Sequence, residues 1–387
     1  MIPHTNGTWA HVALLAVLLT PSAAEAQEES GISVVLRATV DSLVQTSHAP
    51  GVSVGVVLAD GSVHVVTAGM ADTTLRVPME QGTLLLQGSV GKTYVAAVAS
   101  QLVTEGLLDL DAPVARYLGD APWFHRLPNS ATVTVRQLMN HTSGIVRYEF
   151  DERFIADLLA EPDRVWRPEE QLAYLFDTEA PFPPGKGWEY SDTNYLILGM
   201  IIERLTGAPY YAELERRVLD PLNLRATVPS NRRQIPGLAQ GYAGPRNPFG
   251  PSEMLDGAVF AFNPQFEWTG GGIASTGGDL ARWIWALFRG RAFDPDFLPV
   301  MLDGVPARLG PNTRYGLGVI IRPSPLGESW GHSGFFPGYL AEAAYFPDYE
   351  VAVAVQVNTS DFAALAMGPW AMLLAVAEVV TFEEGGR

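Results

Sequence analysis

The chain contains no cysteine and only two lysines, Lys92 and Lys186, set against 23 arginines in 387 residues. Without cysteine there is no disulfide framework, no thiolate nucleophile and no cysteine-linked lipid anchor. Seven histidines are present, but none falls in an H-x-H or H-E-x-x-H spacing, so neither a metal site nor another cofactor is expected. A formal charge of −17 repels phosphate backbones and argues against nucleic acid as a partner, which leaves a small-molecule or peptide substrate. No apolar run reaches the roughly 20 residues that cross a bilayer. The scarcity of lysine is the most informative of these gaps. Arginine serves here wherever a plain positive charge is wanted, so a retained lysine points to the one thing a guanidinium cannot do, which is lose a proton.

Residues 1–26 read as an export leader. Val12 to Leu19 is an unbroken apolar core, and Ala24-Glu25-Ala26 is a small-x-small cleavage site before Gln27. The expected location is therefore periplasmic or secreted. Val52 to Leu58 and Val63 to Ala68 are β-rich runs joined by Ala59-Asp60-Gly61-Ser62, a hairpin signal. From Leu102 to about Phe260 the pattern turns helical, as in 134–139, 168–176 and 195–205, the last closed by Thr206-Gly207. The β signal returns in 315–321, 340–346 and 351–357, with Asp348-Tyr349-Glu350 as the turn between the last two. Residues 362–377 are apolar but interrupted by Gly368-Pro369, which predicts a closing helix packed on the sheet. Strands, then helices, then strands imply a two-lobed α/β protein. One discontinuous α/β lobe takes residues 27–100 and 262–387, and an all-helical lobe, 101–261, is inserted between.

Lys92 belongs to Ser89-Val90-Gly91-Lys92, and the apolar run Tyr94 to Ala99 follows it. In a helix, positions i and i+3 share a face, so the serine hydroxyl and the lysine amine become neighbours. The helix dipole and burial both lower an amine's pKa there, and a neutral amine one turn from Ser89 can take its proton. A second group is Tyr190-Ser191-Asp192, where a tyrosine can accept a proton if a cation such as Lys92 stabilises its phenolate. The third is Trp330-Gly331-His332-Ser333-Gly334-Phe335, read either as a turn or as a strand edge offering a backbone N–H to an oxyanion. His141 and Ser143 suggest a second Ser–His pairing, although a lone loop histidine is usually a hydrogen-bond anchor. Trp188, Tyr148, Phe335 and Phe336 stand near these motifs and suit an apolar acyl pocket.

In this order and spacing, the three motifs resemble those of the penicillin-recognising serine hydrolases, which include class C β-lactamases, D-alanyl-D-alanine carboxypeptidases, D-aminopeptidases and β-lactamase-like esterases. The resemblance runs over most of the chain. It takes in Thr134-Val135-Arg136-Gln137-Leu138 leading to Asn140-His141-Thr142-Ser143-Gly144-Ile145, the Tyr190 to Tyr195 segment, Gly271-Gly272-Ile273-Ala274-Ser275-Thr276 before Asp279-Leu280-Ala281-Arg282, and Tyr315-Gly316-Leu317-Gly318.

The resemblance implies a β-lactamase/transpeptidase-like fold, with a central antiparallel sheet flanked by helices. It implies Ser89 as the acylated nucleophile, Lys92 and Tyr190 as the groups that share its proton, and the backbone N–H groups of Ser89 and Phe335 as the oxyanion hole, with His332 and Gly334 lining the substrate side. His332 stands where class C β-lactamases carry lysine. That substitution tilts the expected substrate toward esters and D-amino-acid amides or peptides and away from β-lactams. Asp192 departs from the commoner asparagine of Y-x-N. A carboxylate beside Lys92 favours the ammonium, so either Tyr190 is the stronger base or Asp192 binds a donor on the substrate. A binding or sensing module that had kept the fold without the chemistry would be expected to lack the serine, lysine or tyrosine; all three are present.

Overall fold

The computed structural model describes residues 31–385 together with Met1 and Pro3. Apart from those two residues, the expected leader over 1–26 lies outside the described residues. A nine-stranded sheet dominates the fold. Its order is Val77–Pro78, Val63–Asp72, Gly51–Val57, Val351–Val357, Tyr339–Phe346, Gly327–Phe336, Ile320–Ser324, Arg314–Tyr315 and Val305–Pro306. All of its pairings are antiparallel, as expected. The chain turns at the predicted Ala59–Ser62 hairpin, where Leu58 N–H donates to Ser62 O at 3.0 Å.

The strand Val351–Val357 shows why the sheet is buried on both faces. Val351, Val353, Val355 and Val357 point to one side, into a core shared with the helices Gly31–Ser47 and Pro369–Gly385. Ala352 and Ala354 point to the other, into the larger core that holds the helix Gly277–Phe288. Alternation with a period of two therefore separates bulky from small side chains. The closing helix buries Met372, Leu373, Val376, Ala377 and Val380 on one stripe, the spacing of a single helix face laid on a sheet.

One β reading changes and one open alternative is decided. The run 315–321 is broken, because Gly316 N–H donates to Val319 O at 2.9 Å and closes a turn between Arg314–Tyr315 and Ile320–Ser324. The glycine-flanked segment 330–335 is not a turn but lies inside the ten-residue strand Gly327–Phe336. Its glycines answer a need for close backbone approach: a Cβ on Gly331 would sit 1.9 Å from Ala343 O, and one on Gly334 would sit 1.8 Å from Gln87 O.

The stretch 101–261 carries the expected helices Val135–Met139, Pro168–Leu172 and Asp192–Thr206, the last closed by Gly207 at φ 68°. It also carries the short strands Thr227–Pro229, Leu255–Asp256 and Val259–Phe260. Thr227–Pro229 joins Ile273–Ser275 and Leu85–Leu86 in a three-stranded sheet, directly before the turn that bears Ser89.

Candidate active site

Ser89 lies in a 3-10 turn, Gly88–Gly91, that feeds straight into the helix Lys92–Thr104. Its first two turns are buried on every side, with Tyr94 to Ala99 at most 1% exposed, so packing fixes the end that carries Lys92. The turn that precedes it is pinned against the strand Gly327–Phe336. Gly88 sits at φ 50°, and a Cβ there would meet Phe335 O at 2.3 Å. This contact sets the backbones of Ser89 and Phe335 side by side at the mouth of the site.

Lys92 is fully buried. Its three ammonium protons meet three acceptors: Ser89 Oγ at 3.0 Å, a carboxylate oxygen of Asp192, and the Gly270 carbonyl. The Gly270 carbonyl is delivered by the segment Pro264–Gly270, which bends at Trp268, φ 37°. Burial alone would lower the Lys92 pKa, but Asp192, Tyr190 and Glu267 outweigh it and hold the amine above its ordinary range. Lys92 is therefore an ammonium at neutral pH, as the reading of Asp192 anticipated.

Asp192 opens the helix Asp192–Thr206, where the dipole favours a negative charge. Its other oxygen accepts from Arg147 Nη2 at 2.7 Å. Burial opposes ionisation, yet Lys92 and Arg147 hold the carboxyl well below the usual range. Asp192 thus binds two cations of its own chain rather than a donor on a substrate.

Tyr190 lies with its ring centroid 5.0 Å from Lys92 Nζ. Its buried hydroxyl faces Ser89 and Lys92 without closing a hydrogen bond of ordinary geometry to either. Burial pushes its pKa up to about 12, and the Lys92 ammonium opposes that rise. His332 is also buried. Its Nδ1 donates to Ser333 O at 2.6 Å, which leaves Nε2 to accept from Tyr315 O–H at 2.8 Å. Burial first, then Lys92, brings its pKa down to about 3, so it is neutral where a lysine would carry charge.

His141 is an anchor. Its Nδ1 accepts from Ser191 N–H at 3.2 Å and touches Asn194 at 3.1 Å, while its ring packs on Tyr190 at 4.2 Å. Ser143 donates to Asn194 instead, at 2.6 Å, and the two form no Ser–His pair.

Ser89, Tyr190, His332, Gly334 and Phe335 line one open cavity of about 550 Å³. Of the four aromatics expected to form an acyl pocket, Phe335 lines this cavity and Phe336 lines a small annex of about 60 Å³ beside it. Tyr148 is used elsewhere, packed on Phe154 and bonded to Phe266 O at 3.1 Å. Trp188 packs with Tyr315 and His141. The apolar wall is instead made by Phe150, Phe249 and Phe362, the last stacked on Phe335 at 6.2 Å between centroids.

Several charged residues of the site escaped sequence reasoning. Glu267 lines the small annex together with Asp192; burial, with the Asp192 charge, pushes it up to about 7. Glu149 is ion-paired with Arg147, and burial with Asp192 raises it well above the carboxylate range. Arg322 and Glu342 pair on the far wall. A signal did exist for two of them, since Glu342 and Glu267 are lone acids within the apolar strings Leu340-Ala341-Glu342-Ala343-Ala344 and Phe266-Glu267-Trp268.

The Beta-lactamase family model matches residues 36–377. A penicillin-binding protein of Bacillus subtilis (strain 168) is 27% identical over 310 residues, 76% of this chain and 64% of that protein. Esterase EstB of Burkholderia gladioli is 36% identical over 165 residues, 41% of each chain. The chain thus spans less than two thirds of the length of these curated relatives. Coverage is fuller against a solved D-stereospecific amidohydrolase from Streptomyces sp., which is 30% identical with a TM-score of 0.76 over 89% of this chain and 97% of that one. D-amino acid amidase from Ochrobactrum anthropi SV3 is 27% identical with a TM-score of 0.78, over 92% of this chain and all of that one. With the S-x-x-K turn, the tyrosine and the H-S-G strand gathered in one cleft, the chain belongs to the beta-lactamase family of serine hydrolases.

Proposed function

We propose that the protein is an exported hydrolase that forms an acyl-enzyme on Ser89 and cleaves carboxylic esters or D-amino-acid amides and peptides. In this reading the site lies between a discontinuous α/β lobe (27–100 and 262–387) and a lobe inserted at 101–261. The observation that carries it is the 3.0 Å contact of Lys92 Nζ with Ser89 Oγ at the wall of an open cavity. Ser89 Oγ attacks the carbonyl carbon, and its proton leaves through the Lys92–Tyr190 pair. The backbone N–H groups of Ser89 and Phe335 receive the developing oxyanion. Collapse expels the alcohol or amine, which takes the proton back, and water then hydrolyses the Ser89 ester.

Lys92 acts here as a cation more than as a free base. It steadies the Ser89 alkoxide and opposes the burial that keeps Tyr190 a phenol, so the proton is accepted by the fraction of Tyr190 present as phenolate, which grows as pH rises. The solved amidase relatives and the esterase relative favour ester or amide substrates, and the neutral His332 points the same way. The test is intact-mass labelling with a fluorophosphonate and, separately, with benzylpenicillin, with Ser89→Ala as control. Fluorophosphonate adds one label to the wild type and none to the variant. Failure of both reagents to label the wild type refutes the acyl-enzyme.

A further inference from the structure

Among the described residues, Lys92 beneath the cleft and both arginines that line it are already paired with carboxylates of the same chain. Lys92 is held by Asp192, Arg147 by Asp192 and Glu149, and Arg322 by Glu342. His332 adds no positive charge. Against these three cations stand four carboxyl groups, Asp192, Glu149, Glu267 and Glu342. Arg322 and Glu342 form a pair apart from the linked Lys92–Asp192–Arg147–Glu149 group, and no step of the proposed reaction uses them.

They flank the H-S-G strand. Arg322 comes from Ile320–Ser324 on one side of Gly327–Phe336, and Glu342 comes from Tyr339–Phe346 on the other, in register with Ser333. Arg322 Nη2 donates to Ser333 Oγ at 2.8 Å and to Glu342 Oε1 at 2.9 Å, and Ser333 Oγ donates to the same Oε1 at 3.0 Å. The guanidinium carbon also lies 4.2 Å over the Trp370 ring. The Glu342 side chain is 6% exposed and that of Arg322 is 17% exposed. All three polar residues line the same cavity as Ser89.

We infer that Glu342 is a specificity-determining residue: by holding Arg322 and the Ser333 hydroxyl, it closes that wall of the cleft to a substrate carboxylate. The two donors that would recognise a carboxylate there already serve one, so an incoming anion has to displace the Glu342 carboxyl, a direct way to disfavour one class of ligand. Penicillins and peptides ending in D-alanine carry such a carboxylate. Simple esters and amino-acid amides do not, so within the proposed substrate classes the inference favours these over peptides that bring a free carboxylate to this wall.

The inference rests on the acyl-enzyme reading, and its test separates the two. Two pairs of aryl esters are compared, one differing only by a carboxylate on the leaving phenol, the other only by a carboxylate on the acyl chain. The readout is the ratio of kcat/KM for the charged and neutral member of each pair, measured for wild type, Glu342→Gln and the double variant Arg322→Met/Glu342→Gln. In the wild type the charged member is the poorer substrate of each pair. Glu342→Gln raises the charged-to-neutral ratio about tenfold in at least one pair, the worth of one freed charge-assisted hydrogen bond, and the double variant loses that gain.

Equal use of charged and neutral esters by the wild type overturns the inference without any variant, so misfolding of the variants does not shelter it. Active variants whose ratios match the wild type overturn it as well. Turnover of the neutral esters without a covalent intermediate on Ser89 refutes the acyl-enzyme reading while leaving the ratio measurement intact.

Discussion

Asp192 is the residue whose replacement reports most about the chemistry, because its charge decides the protonation of everything near Ser89. In Asp192→Asn the carboxamide still offers an oxygen to Lys92 Nζ and keeps the side-chain volume, but the negative charge is gone. Burial, which lowers the Lys92 pKa and is the largest influence on it, then meets much weaker opposition. Arg147, now partnered only by Glu149, adds repulsion. At an effective dielectric near 20, a contact ion pair is worth about 4 kcal/mol, which corresponds to roughly three pH units of titration. The amine then releases its proton at lower pH.

The rate of fluorophosphonate labelling, which isolates acylation from deacylation, is followed from pH 5 to 10. In the wild type that rate climbs toward alkaline pH, because both Lys92 and Tyr190 are held protonated. In the variant the rise begins about three pH units earlier. Stability moves the other way. Asp192 has a depressed folded pKa, so its contribution is present above the unfolded value near 4 and lost as pH falls. Removing the charge destabilises the variant at neutral pH by about 3 kcal/mol, the low end for breaking a buried pair. Superimposable labelling profiles would refute the idea that Asp192 holds Lys92 as an ammonium.

Two further outcomes follow from the same geometry. Phe362→Ala removes one face of the stacked pair with Phe335 at the cavity mouth; preference for a phenylacetyl over an acetyl ester then falls about threefold to tenfold, measured as a ratio of kcat/KM, and an unchanged ratio places the acyl group elsewhere. Glu267→Gln tests the carboxyl titrating at about 7. The folded chain holds this proton between about 4.5 and 7 while the unfolded chain has released it, so wild-type stability falls as pH rises through that window. The Tm of the variant therefore gains on the wild type from pH 4.5 to 7, and a pH-independent difference sinks the assignment.

Much of this site is legible in the chain because its central pair is local. Ser89 and Lys92 lie one turn apart, and helix geometry alone brings them together. Tyr190 and His332 are distant in sequence, but each sits in a short motif whose order and spacing mark it. The outer sheet strands are equally readable, since Val351 to Val357 alternates bulky and small residues with a period of two. Arg147, Glu149, Arg322 and Glu342 are different. Each is a common charged residue whose meaning comes only from a neighbour supplied by another segment, and nothing in its own vicinity names that neighbour. The segment 330–335 stays open between turn and strand edge in the sequence, because glycines that punctuate most sequences as turns serve here to let two backbones touch.

The rarity of lysine pointed to the right residue for an incomplete reason. Deprotonation is what lysine offers and arginine does not, yet Lys92 is held as an ammonium. What the fold needs at this point is a compact charge with three divergent donors. A serine hydroxyl, a carboxylate and the Gly270 carbonyl converge on it from three segments within a fully buried space. A planar guanidinium presents its donors in a flat fork and would fit this convergence poorly. It would also be unable to give up a proton when acylation calls for one. Lysine satisfies both demands, the packing of the resting site and the proton traffic of the reaction. For that reason Lys92→Arg is expected to fail where other Lys-to-Arg exchanges in an arginine-rich chain would pass unnoticed.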